Sequence, residues 1–355
     1  MNKLLLGVLS IVIAAIVMSE ITSLRPQHLQ NLLGSVERIT SALDTTYYLN
    51  HTAVTAFVGE DDEYSDVCIG IISLNGFGTN DHGLLQRLVR SIRTTGQWPR
   101  GRILIVTDDI LRNDTAFQHF VDSDGNILVE YVSQQSLQDI QDLIPPQPTS
   151  KKLSKKDKKN MAAKRFKTDL LALMANHTFS NTTTSQNPNF MLYIDSDVVI
   201  GEPLQLFFDA MRSSFSSDMH VSSRMFLFEE IQSNQTSRLY RRHPTTLNFH
   251  GGLLALHQEQ SKGCLQVWQE QFDSHRYDRD QEALWDILYN NDLNLSSRCQ
   301  VLPLNNSDFL LMPTETTMMQ NETRTFIHFT SGRRKRIDEA LQSRYFRDIL
   351  HLEEA

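Results

Sequence analysis

The stretch NFMLYIDSDVVIGEPL, residues 189–204, sets an apolar run (Met191, Leu192, Tyr193, Ile194) against Asp195 and Asp197, then resumes with Val198, Val199 and Ile200. It reads as a buried strand interrupted by two carboxylates. A carboxylate in such a place is costly unless it is paired, hydrogen-bonded or bound to a metal. Residues i and i+2 of a strand point to the same side. A regular pleat continuing past Ile194 therefore puts both carboxylates over one small volume. That pair suits Mg2+ or Mn2+, hard cations that take oxygen ligands and keep positions open for phosphate. Two strand-end aspartates satisfied by loop amides fit the tripeptide as well, because Asp-x-Asp is a common pattern.

The flanking sequence supplies the fold class. VCIGIIS (67–73) is a continuous apolar run, as expected for a strand covered on both faces. A glycine-bearing loop follows, and then Leu84, Leu85, Leu88, Val89 and Ile92 recur at helical spacing, with Asn80 or Asp81 as cap and Gly96 as stop. RILIVTDD (102–109) reads as a second strand, NDTAFQHFVD as a helix and NILVEYV (126–132) as a third strand. Strands alternating with helices imply an α/β domain with a mostly parallel, Rossmann-like central sheet flanked by helices. Ligands in such sheets bind beyond the carboxyl ends of the strands. The basic tract from residue 151 starts as a solvated loop and continues as a helix through KRFKTDLLALM, and a polar connector, 180–189, leads into the opening stretch.

The chain has 355 residues, 40% of them hydrophobic and 21% charged, which is enough for one large α/β domain or two small ones. A net charge of −8 argues against a nucleic-acid binder that works by overall charge. Cys68, Cys264 and Cys299 form no disulfide framework and no CxxC zinc motif. Cys264 and Cys299 pair in an oxidising compartment or stay as separate buried thiols. Residues 4–18 are uncharged and apolar, short for a bilayer span, and read as a secretory signal or a signal-anchor. Met18 and Glu20 fit a cleavage site poorly, which favours the anchor. Either way the remainder enters the secretory lumen. Sequons at Asn50, Asn113, Asn176, Asn181, Asn234, Asn294, Asn305 and Asn321 agree with a glycosylated lumenal protein. Leu29, Leu32, Val36, Ile39 and Leu43 form a helical seam. It is too short to assert a coiled coil, so a helix packed on the catalytic domain and a self-associating stem that makes a homodimer both fit.

With these elements in order, the chain resembles the metal-dependent nucleotide-sugar glycosyltransferases of the GT-A fold, above all the retaining, glycogenin-like group of glycosyltransferase family 8. The signature strand of that family, with a Pro-Leu shortly after it, is matched by LYIDSDVVIGEPL, and RFKTDLLAL offers Lys167 toward the donor diphosphate. LNFHGGLLALHQ (247–258) is similar to the strand that floors the sugar pocket, with Gly251 and Gly252 allowing close backbone approach. YDRDQEALWDIL (277–288) is similar to the family's Asp-Gln at a helix start, which makes Asp280 and Gln281 the catalytic candidates. A simple capping role for Asp280 or Asp278 fits that position too. FIHFTSGRRKR (326–336) resembles the C-terminal signature, in which His328 is a further metal ligand and Lys335 binds the diphosphate, with Arg333 or Arg334 as substitutes.

The resemblance implies Asp195, Asp197 and His328 around Mn2+ or Mg2+, and Lys167, Asp195, Gly251, Gly252 and Lys335 around the nucleotide sugar. It further implies transfer to a glycan or glycoprotein hydroxyl with retention, whether by front-face attack or through a covalent intermediate on Asp280. A UDP-sugar is the favoured donor. The alternatives are a GDP-mannose-dependent mannosyltransferase and a non-catalytic glycan-binding protein on the same fold. A metal-dependent phosphohydrolase is a rival from another class, but it would want further ligand motifs. The domain reading is anchor or signal 1–19, lumenal stem 20–62, GT-A catalytic domain 63–340 and C-terminal helix 341–355. The corresponding location is the Golgi or ER membrane in type II orientation, with secretion as the alternative.

Overall fold

The computed structural model describes residues 63–74, 77, 83–143, 164–176, 188–216, 224–229, 249–274, 283–284, 286–287, 295–304, 309–311 and 323–329. The chain divides into two compact units, Met1–Asp61 and Asp62–Ala355. The first unit, with the expected anchor and stem, and the expected C-terminal helix both lie outside the described residues. Among the described residues no helix is long and apolar enough to cross a membrane.

The second unit begins with β1 (Val67–Ser73), α1 (Leu84–Arg93), β2 (Arg102–Asp108), α2 (Thr115–Asp122), β3 (Ile127–Val132) and α3 (Gln134–Leu143). It continues through α4 (Leu170–Asn176), β4 (Phe190–Ile194), β5 (Val198–Ile200), α5 (Gln205–Ser216), β6 (Arg224–Glu229) and β7 (Phe249–His257). The last described elements are α6 (Lys262–Ser274), β8 (Gln300–Leu304), β9 (Leu310–Leu311) and β10 (Phe326–His328). Among the described residues the main sheet has seven strands in the order β3-β2-β1-β4-β7-β6-β8. β1 to β4 run parallel, β7 runs antiparallel to both β4 and β6, and β8 is parallel to β6. The expected mixed α/β unit with a mostly parallel central sheet is what the chain forms.

Strand alternation divides the core cleanly. Val67, Ile69 and Ile71 of β1, Ile103 and Ile105 of β2 and Leu192 and Ile194 of β4 share one buried cluster with α1 and α5 side chains such as Leu88, Ile92, Phe207 and Phe208. Their sequence neighbours Cys68, Ile72, Leu104, Val106, Met191 and Tyr193 share the other, with Leu170 and Met174 of α4 and Leu265 and Trp268 of α6. A sheet buried on both faces needs apolar side chains at successive positions, which is why these strands read as unbroken apolar runs.

Two expectations need correction. Helix α1 is preceded by Gly83, which takes the N-cap position in the left-handed conformation at φ 65. Glycine takes that conformation without the Cβ clash that hinders other residues, so the residue at the N-cap position is Gly83 rather than Asn80 or Asp81, which lie outside the described residues. At the other end Gly96 does serve as the stop: its amide donates to the Ser91 carbonyl at 2.8 Å, and a Cβ there would lie 2.7 Å from the Ile92 oxygen.

The second correction concerns the opening stretch, which is not one strand. β4 ends at Ile194, the Val198 amide donates back to the Asp195 carbonyl at 3.1 Å, and β5 continues in a separate sheet. That small sheet has the order β5-β10-β9, with β10 antiparallel to β5 and parallel to β9. Asp-Ser-Asp is turn chemistry rather than strand chemistry, because these short polar side chains compete for nearby backbone groups. The two carboxylates therefore converge through a turn and not through a continued pleat.

Candidate active site

The acidic turn is held from three directions. On one side the Asp195 amide donates to the Gly252 carbonyl of β7 at 2.8 Å. On another, the Phe329 amide donates to the Asp197 carbonyl at 3.0 Å. The antiparallel register of β10 on β5 pairs His328 with Val198, next to Asp197. This brings in a side chain that is distant in sequence: His328 Nε2 lies 3.2 Å from Asp197 Oδ1, with side-chain exposures of only 7% and 5%.

The third hold is a cation. Lys167 sits in a tight 3-10 turn, Lys167–Asp169, just ahead of α4. Arg165 anchors that turn: it bonds Thr168 Oγ1 at 2.6 Å, pairs with Asp169 at 3.0 Å and reaches Asp273 on α6 at 3.0 Å. Burial pushes the Asp169 carboxyl up from its ordinary range, and the Arg165 guanidinium opposes that shift. The anchored turn aims the Lys167 ammonium inward, where it donates to the Gly251 carbonyl at 2.7 Å and lies 3.4 Å from Asp195 Oδ1. It also sits over the Tyr193 ring, 4.8 Å from its centre. A buried cation beside paired carboxylates offsets their mutual repulsion.

Asp195, Asp197 and His328 each present one ligand atom, and these atoms all lie within 4.8 Å of one another. Two carboxylate oxygens and one imidazole nitrogen form a donor set that suits Mn2+ or Mg2+. Ligands on opposite sides of Mg2+ are about 4.2 Å apart, from bonds of about 2.1 Å. The spread of the three ligand atoms is therefore of the size that one such ion spans. Its place beyond the carboxyl end of β4 is where ligands bind in sheets of this kind.

Against known proteins, no protein-family model matches the chain and no curated sequence is similar to it. Among solved structures it is similar to the galactosyltransferase LgtC in complex with donor and acceptor sugar analogs, at 14% identity over 79% of this chain and 99% of that one, TM-score 0.48. It is also similar to mouse xyloside xylosyltransferase 1 in its apo form, at 10% identity over 75% of this chain and 98% of that one, TM-score 0.42. A third likeness is to the bifunctional glycosyltransferase WbbM, at 13% identity over 85% of this chain and 53% of that one, TM-score 0.42. At these identities and TM-scores the likenesses carry no weight for function.

Of the residues singled out in the sequence, the structure gathers Lys167, Asp195, Asp197, Gly251, Gly252 and His328 around one point. The carbonyls of Gly251 and Gly252 already accept from Lys167 and from the Asp195 amide, so this pair ties β7 to the acidic turn. Asp280, Gln281 and Lys335 lie outside the described residues. One participant was missed: Tyr193, counted among the apolar residues, donates its hydroxyl to Asp195 Oδ1. Its position on β4, two residues before Asp195 on the strand that leads into the acidic turn, was the available signal.

Proposed function

We propose that this chain is a glycosyltransferase of the GT-A type that moves a sugar from a nucleotide-diphosphate donor, a UDP-sugar in the favoured case, to a glycan or glycoprotein hydroxyl with retention, and that it depends on Mn2+ or Mg2+. The observation that carries the reading is the convergence of Asp195, Asp197 and His328 at the carboxyl end of β4, with Lys167 beside them. When bound, the cation supplies neutralisation of the negative charge that develops on the leaving nucleoside diphosphate.

The chain's own residues supply the rest. Asp197, Asp195 and His328 hold the cation, and the buried contact between Asp197 and His328 sets two of these ligands in place beforehand. Lys167 offers a positive charge to the diphosphate from a fixed position on its anchored turn. The backbone at Gly251 and Gly252 borders the donor sugar with no side chain in the way. Asp280 and Gln281 are assigned to the face of the donor sugar, and Lys335 to the diphosphate, by resemblance alone.

We place the enzyme in the secretory lumen, anchored at the Golgi or ER membrane by its N-terminal segment. Cys264 and Cys299 form a disulfide with 4.6 Å between their Cα atoms, which fits an oxidising compartment. Asn113 and Asn176, two of the sequon asparagines, are exposed. Two measurements test the reading. A screen of nucleotide sugars for metal-dependent hydrolysis finds turnover with one donor class, and an absence of turnover with all of them speaks for the glycan-binding alternative. Endoglycosidase treatment of the expressed chain shifts its mobility, and an unshifted band contradicts the lumenal placement.

A further inference from the structure

The strand that carries the acidic turn contributes a polar group that the function above leaves unused. Tyr193 is 2% exposed, and its ring lies in the core cluster that includes Leu170, Leu171, Met191 and Leu254. Its hydroxyl donates to Asp195 Oδ1, the same oxygen that faces Lys167 Nζ at 3.4 Å. The two aspartates differ in how they are held. Asp197 is buried, at 5% side-chain exposure, and touches His328, whereas the Asp195 side chain is 32% exposed. A carboxylate on a partly open turn gives up rotamer freedom when it takes a ligand. A hydroxyl on a buried ring, itself locked by packing, removes much of that cost in advance.

We propose that Tyr193 is a positioning residue of the cation site: its hydroxyl pins the Asp195 carboxylate at one oxygen, so that the remaining lone pairs are set for a divalent cation shared with Asp197 and His328. This inference rests on the metal site of the proposed function, and it concerns cation binding before any nucleotide arrives.

Tyr193→Phe tests it, because this change keeps the ring and its burial and deletes the hydroxyl alone. Mn2+ binding to the purified full chain is measured without nucleotide, by the electron paramagnetic resonance signal of the free ion, with a melting curve as the check on folding. The expected result is an affinity loss on the order of tenfold or more, the usual effect of removing a group that orients a metal ligand, at a melting temperature close to the parent's. A second measurement places Tyr193→Phe in an Asp195→Asn background, where the loss vanishes if the hydroxyl acts through that carboxylate. Unchanged or tighter Mn2+ binding by folded Tyr193→Phe overturns the proposal, and so does a loss that persists in the Asp195→Asn background. A parent chain that binds no Mn2+ overturns the tyrosine's role and the metal reading together, a pattern distinct from the failure of Tyr193→Phe alone.

Discussion

Asp195 and Asp197 are separated by a single serine, yet they stand in different surroundings. Asp197 is enclosed, with its carboxylate against His328 and its carbonyl bonded to Phe329, while Asp195 leans on Tyr193 and Lys167 at a more open position. Asp197→Ala is therefore expected to lower metal-dependent sugar transfer or donor hydrolysis by at least about a hundredfold, the scale of losing one electrostatic group at a reacting centre. Circular dichroism should show the fold retained, and turnover within a fewfold of the parent's removes the pair from the mechanism. Lys167 gives a prediction of opposite signs. Its ammonium sits 3.4 Å from the Asp195 carboxylate, which is a cation ligand under the proposed function, so Lys167→Met should leave Mn2+ binding as tight as before or tighter. The same change should weaken binding of a nucleoside diphosphate, and calorimetric titration with each ligand separates the two effects. Weaker Mn2+ binding with unchanged nucleotide binding would reverse the assignment.

At the scale of elements, two features act on stability away from the site. The Cys264–Cys299 bridge joins α6 to the start of β8 across 35 residues. Replacing both with serine should cost roughly 2–4 kcal/mol, the range for a cross-link of ordinary loop length, and denaturant unfolding reads this directly. His257 closes β7 with Phe190 and Phe215 against its ring, 5.0 Å and 5.6 Å between centroids. Its Nδ1 accepts from the amides of Glu259 and Gln260 at 3.2 Å and 3.3 Å. Burial holds its pKa below the ordinary 6.5, with Arg224 adding to the shift and Glu259 opposing it. The folded state thus favours neutral imidazole. Its contribution to stability is complete above pH 6.5 and is lost as the pH falls through the lower folded value. His257→Gln should flatten the decline in melting temperature between pH 7 and pH 5, and an unchanged slope would mean that other groups set it.

The elements also show what could be read from the chain and what could not. The run at 67–73 appears as β1 without a residue's change, because a strand buried on both faces leaves an unbroken apolar record. The break after Ile194 left no such record: apolar residues resume at Val198, but they pair with β10, a partner supplied from near the far end of the chain. The left-handed start at Gly83 and the hydroxyl bond of Tyr193 depend on backbone conformation and on a side chain's polar tip, and neither shows in an apolar pattern. The cysteine pair was undecided in sequence because spacing says nothing about whether Cα atoms approach.

For the molecule as a whole, the chain carries a net charge of −8, and among the described residues Lys167 is a cationic partner of the acidic turn. Under the proposed function, a cation held by Asp195, Asp197 and His328 would supply the positive charge beside which a nucleoside diphosphate binds. Metal and nucleotide should therefore act together rather than independently. The direct measurement is the melting temperature of the purified chain with UDP alone, with Mn2+ alone and with both. Ligand at about a hundred times its dissociation constant stabilises the folded state by about 2.7 kcal/mol, which is several degrees for a domain of this size. The prediction is a shift of that order with UDP and Mn2+ together that exceeds the sum of the shifts with either alone, and that disappears in Asp197→Ala. A melting temperature that responds to no nucleoside diphosphate in the presence of metal would contradict the account.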